Sequence, residues 1–362
     1  MNKKVIKWLL MIGLISIISL GNTTLANTAF ASESVDVDPG YAVDKILEDN
    51  LKIRAAEVEL ANARLTYQEN LSNSNNSRSA QIKTLIGKIQ AEEKYRKVKN
   101  EQIYSIINDY FKLYQKTNQL EIAKKKLELE KRKLKEIKAE VKVGYKNSPE
   151  KFEQENLYHN TRIELENLKR DIALAISELK MAMGIDNNLE IRLIKPTIPE
   201  KLEISQQDLI DKAVHNRSDI EIAETQINLA RVELEKARVS NEPSIKIKKL
   251  KNNLKLDSIE YKRKKQELIQ LIKRQFLLLN QIEEQIEIAQ KRIEHLKRNQ
   301  SNLANELKAG RITRTALMSA EVNLLEGKQR LLKSISDYYL TKLELKQIVG
   351  QQVGVDIDEI TE

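Results

Sequence analysis

The side chains that could bind a metal or move a proton are scattered along this chain. Three histidines, His159, His215 and His295, lie far apart without ligand spacing. They read as solvated or packed against neighbouring helices rather than as a metal site. The chain has no cysteine, so it offers no thiol, disulfide framework or lipid-acceptor sulfur. Nor is there a Gly-rich phosphate loop or a nucleophile elbow. The sequence therefore predicts no enzyme, no cofactor and no metal. Residues 124–142 hold nine Lys/Arg against four Glu. Nucleic acid fits such a face, as do anionic wall polymers and lipid headgroups. The interleaved glutamates and an apparent export signal instead predict a solvated coiled-coil exterior with no nucleic-acid partner. Tyr104, Tyr110 and Tyr114 recur at helical spacing, which predicts packing within a helical hairpin rather than a stacking platform.

The elements that must carry these residues are helical. Low aromatic content (4%) and only five prolines among 362 residues suit long helices better than a mixed core. At the start, Lys3, Lys4 and Lys7 precede an apolar stretch over residues 8–20, and Ala29, Phe30 and Ala31 form a small-x-small cleavage site. Residues 1–31 are expected to be a signal peptide, leaving an exported chain that begins at Ser32. Its formal charge falls from +9 to +6, because three lysines leave and no acid does.

The remainder repeats itself. At a constant offset of 166, Tyr95, Glu101, Ile103 and Ile106 fall on Tyr261, Glu267, Ile269 and Ile272, Gly144 falls on Gly310, and Glu155 on Glu321. Upstream the offset is 167, pairing Ala56 with Ala223 and Ala63 with Ala230. A period this long marks a duplicated structural unit. Five segments follow: residues 1–31 the signal, 32–184 the first repeat, 185–204 an extended linker marked by Pro196 and Pro199, 205–350 the second repeat, and 351–362 a short acidic tail.

Within the first repeat, Ile106, Leu113, Leu120, Leu127, Leu134 and Val141 recur every seventh residue, a coiled-coil seam. In the second, Ile272, Leu279, Ile286, Ile293, Gln300 and Leu307 form the matching line. A helix over about 92–143 spans on the order of 75 Å. Each rod ends at a glycine, Gly144 or Gly310, and a return helix starts behind Ser148 as N-cap, with Pro149 and Glu150 in its first turn, or behind Thr313. The fold class is all-α, with long antiparallel coiled-coil hairpins in two tandem structural repeats and little or no β-structure. Helix resumes after the linker at Ser205, with Asp208 as a variant capping box.

Certain motifs carry a family likeness. Asn216, Arg217, Ser218, Asp219 and Ile220 open the second repeat; Glu242, Pro243, Ser244 and Ile245 follow; residues 309–321, from Ala309 and Gly310 through Glu321, lead towards Val349 and Gly350. In order and spacing these resemble the TolC family of outer-membrane efflux ducts over residues 41–350. The resemblance implies a protomer of a hollow α-helical barrel, three subunits per barrel, and a location in the cell envelope. It also implies that the hairpin tips meet a periplasmic adaptor protein serving an inner-membrane pump. The tip residues that would make that contact are Gly144, Tyr145, Lys146, Ser148 and Glu150 in the first hairpin, and Gly310, Arg311, Thr313 and Arg314 in the second.

Two departures stand out. The family inserts a β-hairpin between the first and second helices of each repeat. Here residues 72–79 are polar, and residues 240–253 offer only Ile245 and Ile247 among lysines. A membrane strand needs roughly 9–11 alternating residues, so the barrel is expected to be missing or vestigial. Where the family places an aspartate ring, this chain has Ala316 and Ser319. The functional expectation is a duct component extending an efflux assembly. The alternative is an exported coiled-coil scaffold of the envelope without a lumen, whereas an adaptor would need flanking strand segments that the sequence lacks.

Overall fold

In the computed structural model, residues 34–73 and 75–351 are described. The expected signal peptide and all of the expected tail beyond Gln351 lie outside them. The described residues form one compact unit. Its elements are β1 (Ser34–Val37), α1 (Pro39–Asp49), α2 (Leu51–Ser72), α3 (Arg78–Lys142), α4 (Ser148–Met183), β2 (Glu190–Leu193), α5 (Gln206–Asn216), α6 (Ser218–Val239), α7 (Ser244–Lys308) and α8 (Arg314–Ile348).

The helices of the two halves match in length. They have 11, 22, 65 and 36 residues in α1 to α4, and 11, 22, 65 and 35 in α5 to α8. The change of offset falls in the turns, since residues 73–77 join α2 to α3 whereas 240–243 join α6 to α7. At 65 residues, α3 and α7 are each about 98 Å long.

One expectation needs correcting, and three details go beyond the sequence. The long rod starts at Arg78, not near residue 92, with the Ser77 hydroxyl accepting from the Ala80 N–H at 3.3 Å. The stretch 41–71 is two helices, divided where Asn50 caps α2 by accepting from Lys52 and Ile53. The second insertion is no loop, because Ser244 already begins α7 and Ile245 and Ile247 lie in its first turns. The extended linker contains β2, whose residues Glu190 to Leu193 pair in parallel with Ser34 to Val37.

Below the waist the long helices lie side by side in the order α4, α3, α8, α7. Above it the order is α2, α3, α6, α7. One edge of this curved layer is thus α2 and α4, and the other is α7 along its whole length. Short helices α1 and α5 pack on α3 and α7 at the waist, where the main core sits. There Phe111 stacks on Tyr339 with centroids 5.6 Å apart, and Tyr110 meets Phe111 edge-on at 5.6 Å. The Tyr110 hydroxyl donates to the Ile194 carbonyl and that of Tyr338 to Glu200 at 2.8 Å, so the tyrosines pin the linker to the rods. Burial pushes the Tyr110 hydroxyl pKa upward. It makes this clamp from within the core, where its ring is fully buried and stacks on Tyr114.

Arg96 joins the two halves. It donates to the carbonyl oxygens of Gly350 at 3.0 Å and Asn216 at 3.4 Å and to the Ser218 hydroxyl at 2.8 Å. Beside it Arg217 holds Asp219 through two bonds of 2.8 and 2.7 Å. Gly350 has φ 77°, and a Cβ there would sit 2.8 Å from the Asn216 carbonyl oxygen, so only glycine lets α8 end this close to α5.

Candidate functional site: the paired hairpin tips

Both long helices end in the same way. Gly144 (φ 82°) and Gly310 (φ 72°) adopt the left-handed conformation. Their N–H groups donate to Val141 and Leu307, while the next N–H groups, of Tyr145 and Arg311, reach back to Glu140 and Glu306 at 2.9 Å. These pairs satisfy the last carbonyls of each rod and reverse the chain sharply. In the first tip the cap is Asn147 rather than Ser148. Its side chain accepts from the Glu150 N–H at 3.0 Å, and the Glu150 carboxylate accepts from the Asn147 N–H at 3.0 Å, a complete capping box. Ser148 is then the first helical residue, and Glu150 is committed to the cap. In the second tip Thr313 caps α8, accepting from Ala316 at 3.2 Å.

The corners leave few groups free to meet a partner. Tyr145 is 86% exposed. Lys146 leans back on Glu140 at 3.5 Å, Arg311 stands in solvent, and Arg314 is half-buried, its guanidinium 4.0 Å from Glu321. The two tips lie at one end, because the Thr315 hydroxyl donates to Glu136 at 3.2 Å and Met318 and Val322 pack against Leu129.

The basic run on α3 is largely engaged. Lys125 pairs with Glu321 at 2.8 Å and Lys126 with Glu326 at 2.7 Å, both across to α8; Lys138 meets Glu155 on α4 at 3.0 Å. Hydrogen bonding to Glu321 raises the Lys125 pKa, and Lys138 holds the Glu155 carboxyl below its ordinary range. Inside the first hairpin, buried Gln154 donates to the Glu130 carboxylate at 2.7 Å, and Lys133 pairs with the same carboxylate at 2.8 Å. This polar contact fixes the register of α3 against α4. Sequence reasoning missed it, although Gln154 stands where the second repeat has buried Ala320.

Of the seam positions, Ile106, Leu113, Leu134, Ile272, Leu279, Ile286 and Ile293 are buried, and Leu120, Leu127, Val141 and Leu307 are half-buried. The seam and tips thus belong to the same rods. His159, His215 and His295 lie on three different helices, and no group of three His, Asp or Glu side chains converges among the described residues.

No protein-family model matches the chain, and no curated protein matches its sequence. Solved structures do match its fold. CusC, a protein that forms a transmembrane channel, is 15% identical with a TM-score of 0.62, covering 91% of this chain and 96% of its own. The CmeC outer-membrane channel of Campylobacter jejuni is 12% identical at 0.64, covering 88% and 86%. The outer-membrane protein VceC of Vibrio cholerae is 12% identical at 0.61, covering 88% and 97%. The fold is therefore that of TolC-type outer-membrane channels, as the motifs implied. In this chain β1 and β2 are the only strands among the described residues.

Proposed function

We propose that this chain is a duct component of the cell envelope, closing with two further copies into a helical tube. One observation carries the reading: each edge of the helical layer bears an unpartnered apolar stripe. On α4 it runs through exposed Phe152, Ile163, Leu174 and Met181, spaced 11, 11 and 7 residues apart and hence on one face. On α7 it runs through exposed Leu256, Ile259, Leu277 and Ile288. Edges of different kinds at opposite sides fit a head-to-tail contact, which closes into a ring.

The duplication supports how that contact would look. Within the chain α8 packs on α3, and by the 166-residue offset α4 stands for α8 and α7 for α3. Phe152, 63% exposed, occupies the position of Met318, 1% exposed against Leu129. The Lys125–Glu321 pair has its counterpart in Lys291 and Glu155, which would face each other across the subunit boundary.

The number of subunits, the envelope location, the non-enzymatic role, and docking on a periplasmic adaptor and inner-membrane pump follow the family likeness. Export by cleavage after Ala31 completes the reading; protein recovered from the envelope is expected to start at Ser32 by amino-terminal sequencing, and a retained Met1 would contradict it. Docking would fall on the exposed Tyr145 and Arg311 and on half-buried Lys146. The Arg311→Glu, Arg314→Glu variant keeps Gly310 and the Thr313 cap. Together with Lys146→Glu it is expected to weaken crosslinking to a cognate adaptor with unchanged helicity. Undiminished capture by all three substitutions would remove the tips from the proposal and favour the lumen-less scaffold.

A further inference from the structure

At the end opposite the tips, the start of α3 lies beside the end of α6, since Lys83 pairs with Glu233 at 3.0 Å; the α6–α7 turn is 240–243. That turn is a fixed corner. Asn241 adopts φ 48°, and the Glu242 N–H donates to the Ala237 carbonyl at 3.0 Å. On either side of it stand two apolar side chains in water, Val239 at 83% exposure and Ile245 at 71%.

Around them the charge is one-sided. Residues 236–255 contain seven Lys/Arg and a single acid, Glu242, which is taken by Lys246 at 2.7 Å. Lys248, Lys249 and Lys251 are exposed and form no ion pair with any described residue. Two of these three cations are not part of what the two halves share, whereas Lys249 has its counterpart in Lys83. Where the second half has Lys248 and Lys251, the first has Ile82 and Leu85, and the turn 73–77 holds no charged residue.

Exposed aliphatic side chains set among lysines at a corner fit one surface, an anionic bilayer, where the apolar groups enter the headgroup boundary and the ammonium groups meet lipid phosphates. A soluble polyanion would use the lysines and leave Val239 and Ile245 idle. No described helix is long and apolar enough to cross a membrane. We propose that the α6–α7 corner is a peripheral docking surface for anionic lipid, an attachment that lies on the membrane rather than spanning it. It stands independently of the duct reading, and a ring would multiply the contact by repeating the corner in every copy.

The test is vesicle flotation of the chain beginning at Ser32, which retains the whole compact unit. Vesicles of phosphatidylcholine alone are compared with vesicles of phosphatidylcholine and phosphatidylglycerol. Binding is expected only to the mixed vesicles, weakening with salt. The Lys248→Glu, Lys249→Glu, Lys251→Glu variant is expected to bind about tenfold more weakly or worse. The Val239→Ser, Ile245→Ser variant is also expected to lose binding, with helicity by circular dichroism unchanged in both. Should the double variant lose helicity, Val239→Ser alone serves, since that side chain is outside the core. The Arg311→Glu, Arg314→Glu variant at the far end is expected to float like the parent. Equal binding to both vesicle types, or none to either, would overturn the proposal. Full binding by the serine variant together with competition from polyphosphate would assign the corner to a polyanion instead.

Discussion

Gly87 lies inside α3, and a Cβ built there would meet nothing within 4 Å. Its backbone conformation is ordinary helix, so the glycine costs helix stability without easing any contact. Gly87→Ala is therefore expected to stabilise the chain by about 0.5–1 kcal/mol, read as a higher urea midpoint with an unchanged slope. A lower midpoint would mean that the position needs freedom not apparent in the packing around it. At the same scale, Arg96 illustrates what a sequence hides. Besides the nearby Glu93, its acceptors lie 120 to 254 residues away, so no local pattern announces that it holds the ends of α5 and α8 together. Asn216, Arg217 and Asp219, legible as a family motif, turn out to build that junction.

The elements were more legible than the contacts. The seven-residue recurrence from Ile106 to Val141 was enough to place a rod, and Gly144 and Gly310 were enough to end both rods. What went unread has physical causes. Ser79, Thr84 and Gly87 are poor helix formers, and α3 extends through them because Ile82 and Ile89 are buried in the layer. The cap of α4 could have been found from Asn147 followed three residues later by Glu150, but Ser148 beside Pro149 was an equally ordinary start. From residue 247 onward, Ile247, Leu250 and Leu254 already follow a helical spacing and are half-buried in α7, whereas a comparison with barrel strands looked for alternation instead. The buried Glu130–Gln154 pair interrupts the apolar pattern that sequence reading depends on. The matched lengths of α3 and α7, and of α4 and α8, also yield a prediction between elements. Cysteines replacing Glu155 and Lys291 on separate copies are expected to form an intermolecular disulfide under mild oxidation. A disulfide confined to single chains, or none, would mean that α4 and α7 do not meet as α8 and α3 do.

At the scale of the whole molecule, the chain is an open layer whose middle seams are satisfied and whose edges are not. Within it, α8 and α3 are joined by the Leu129, Met318 and Val322 cluster and by two ion pairs. The outer helices α4 and α7 carry the equivalent positions Phe152, Glu155 and Lys291; Phe152 is exposed, and Glu155 pairs with Lys138 inside its own hairpin. In the proposed tube, association would draw on the same apolar burial that holds the hairpins and would leave no edge open. In that tube closure would come from the helices, since neither corner holds a strand among the described residues. The most direct test is the mass of the chain from Ser32 onward in detergent-free buffer, measured by light scattering over a range of concentrations. The account predicts three copies for the parent and a shift to the single-chain mass, at unchanged helicity, for Ile163→Asp, Leu174→Asp on the exposed face of α4. A parent that remains a single chain at the highest concentration would contradict it.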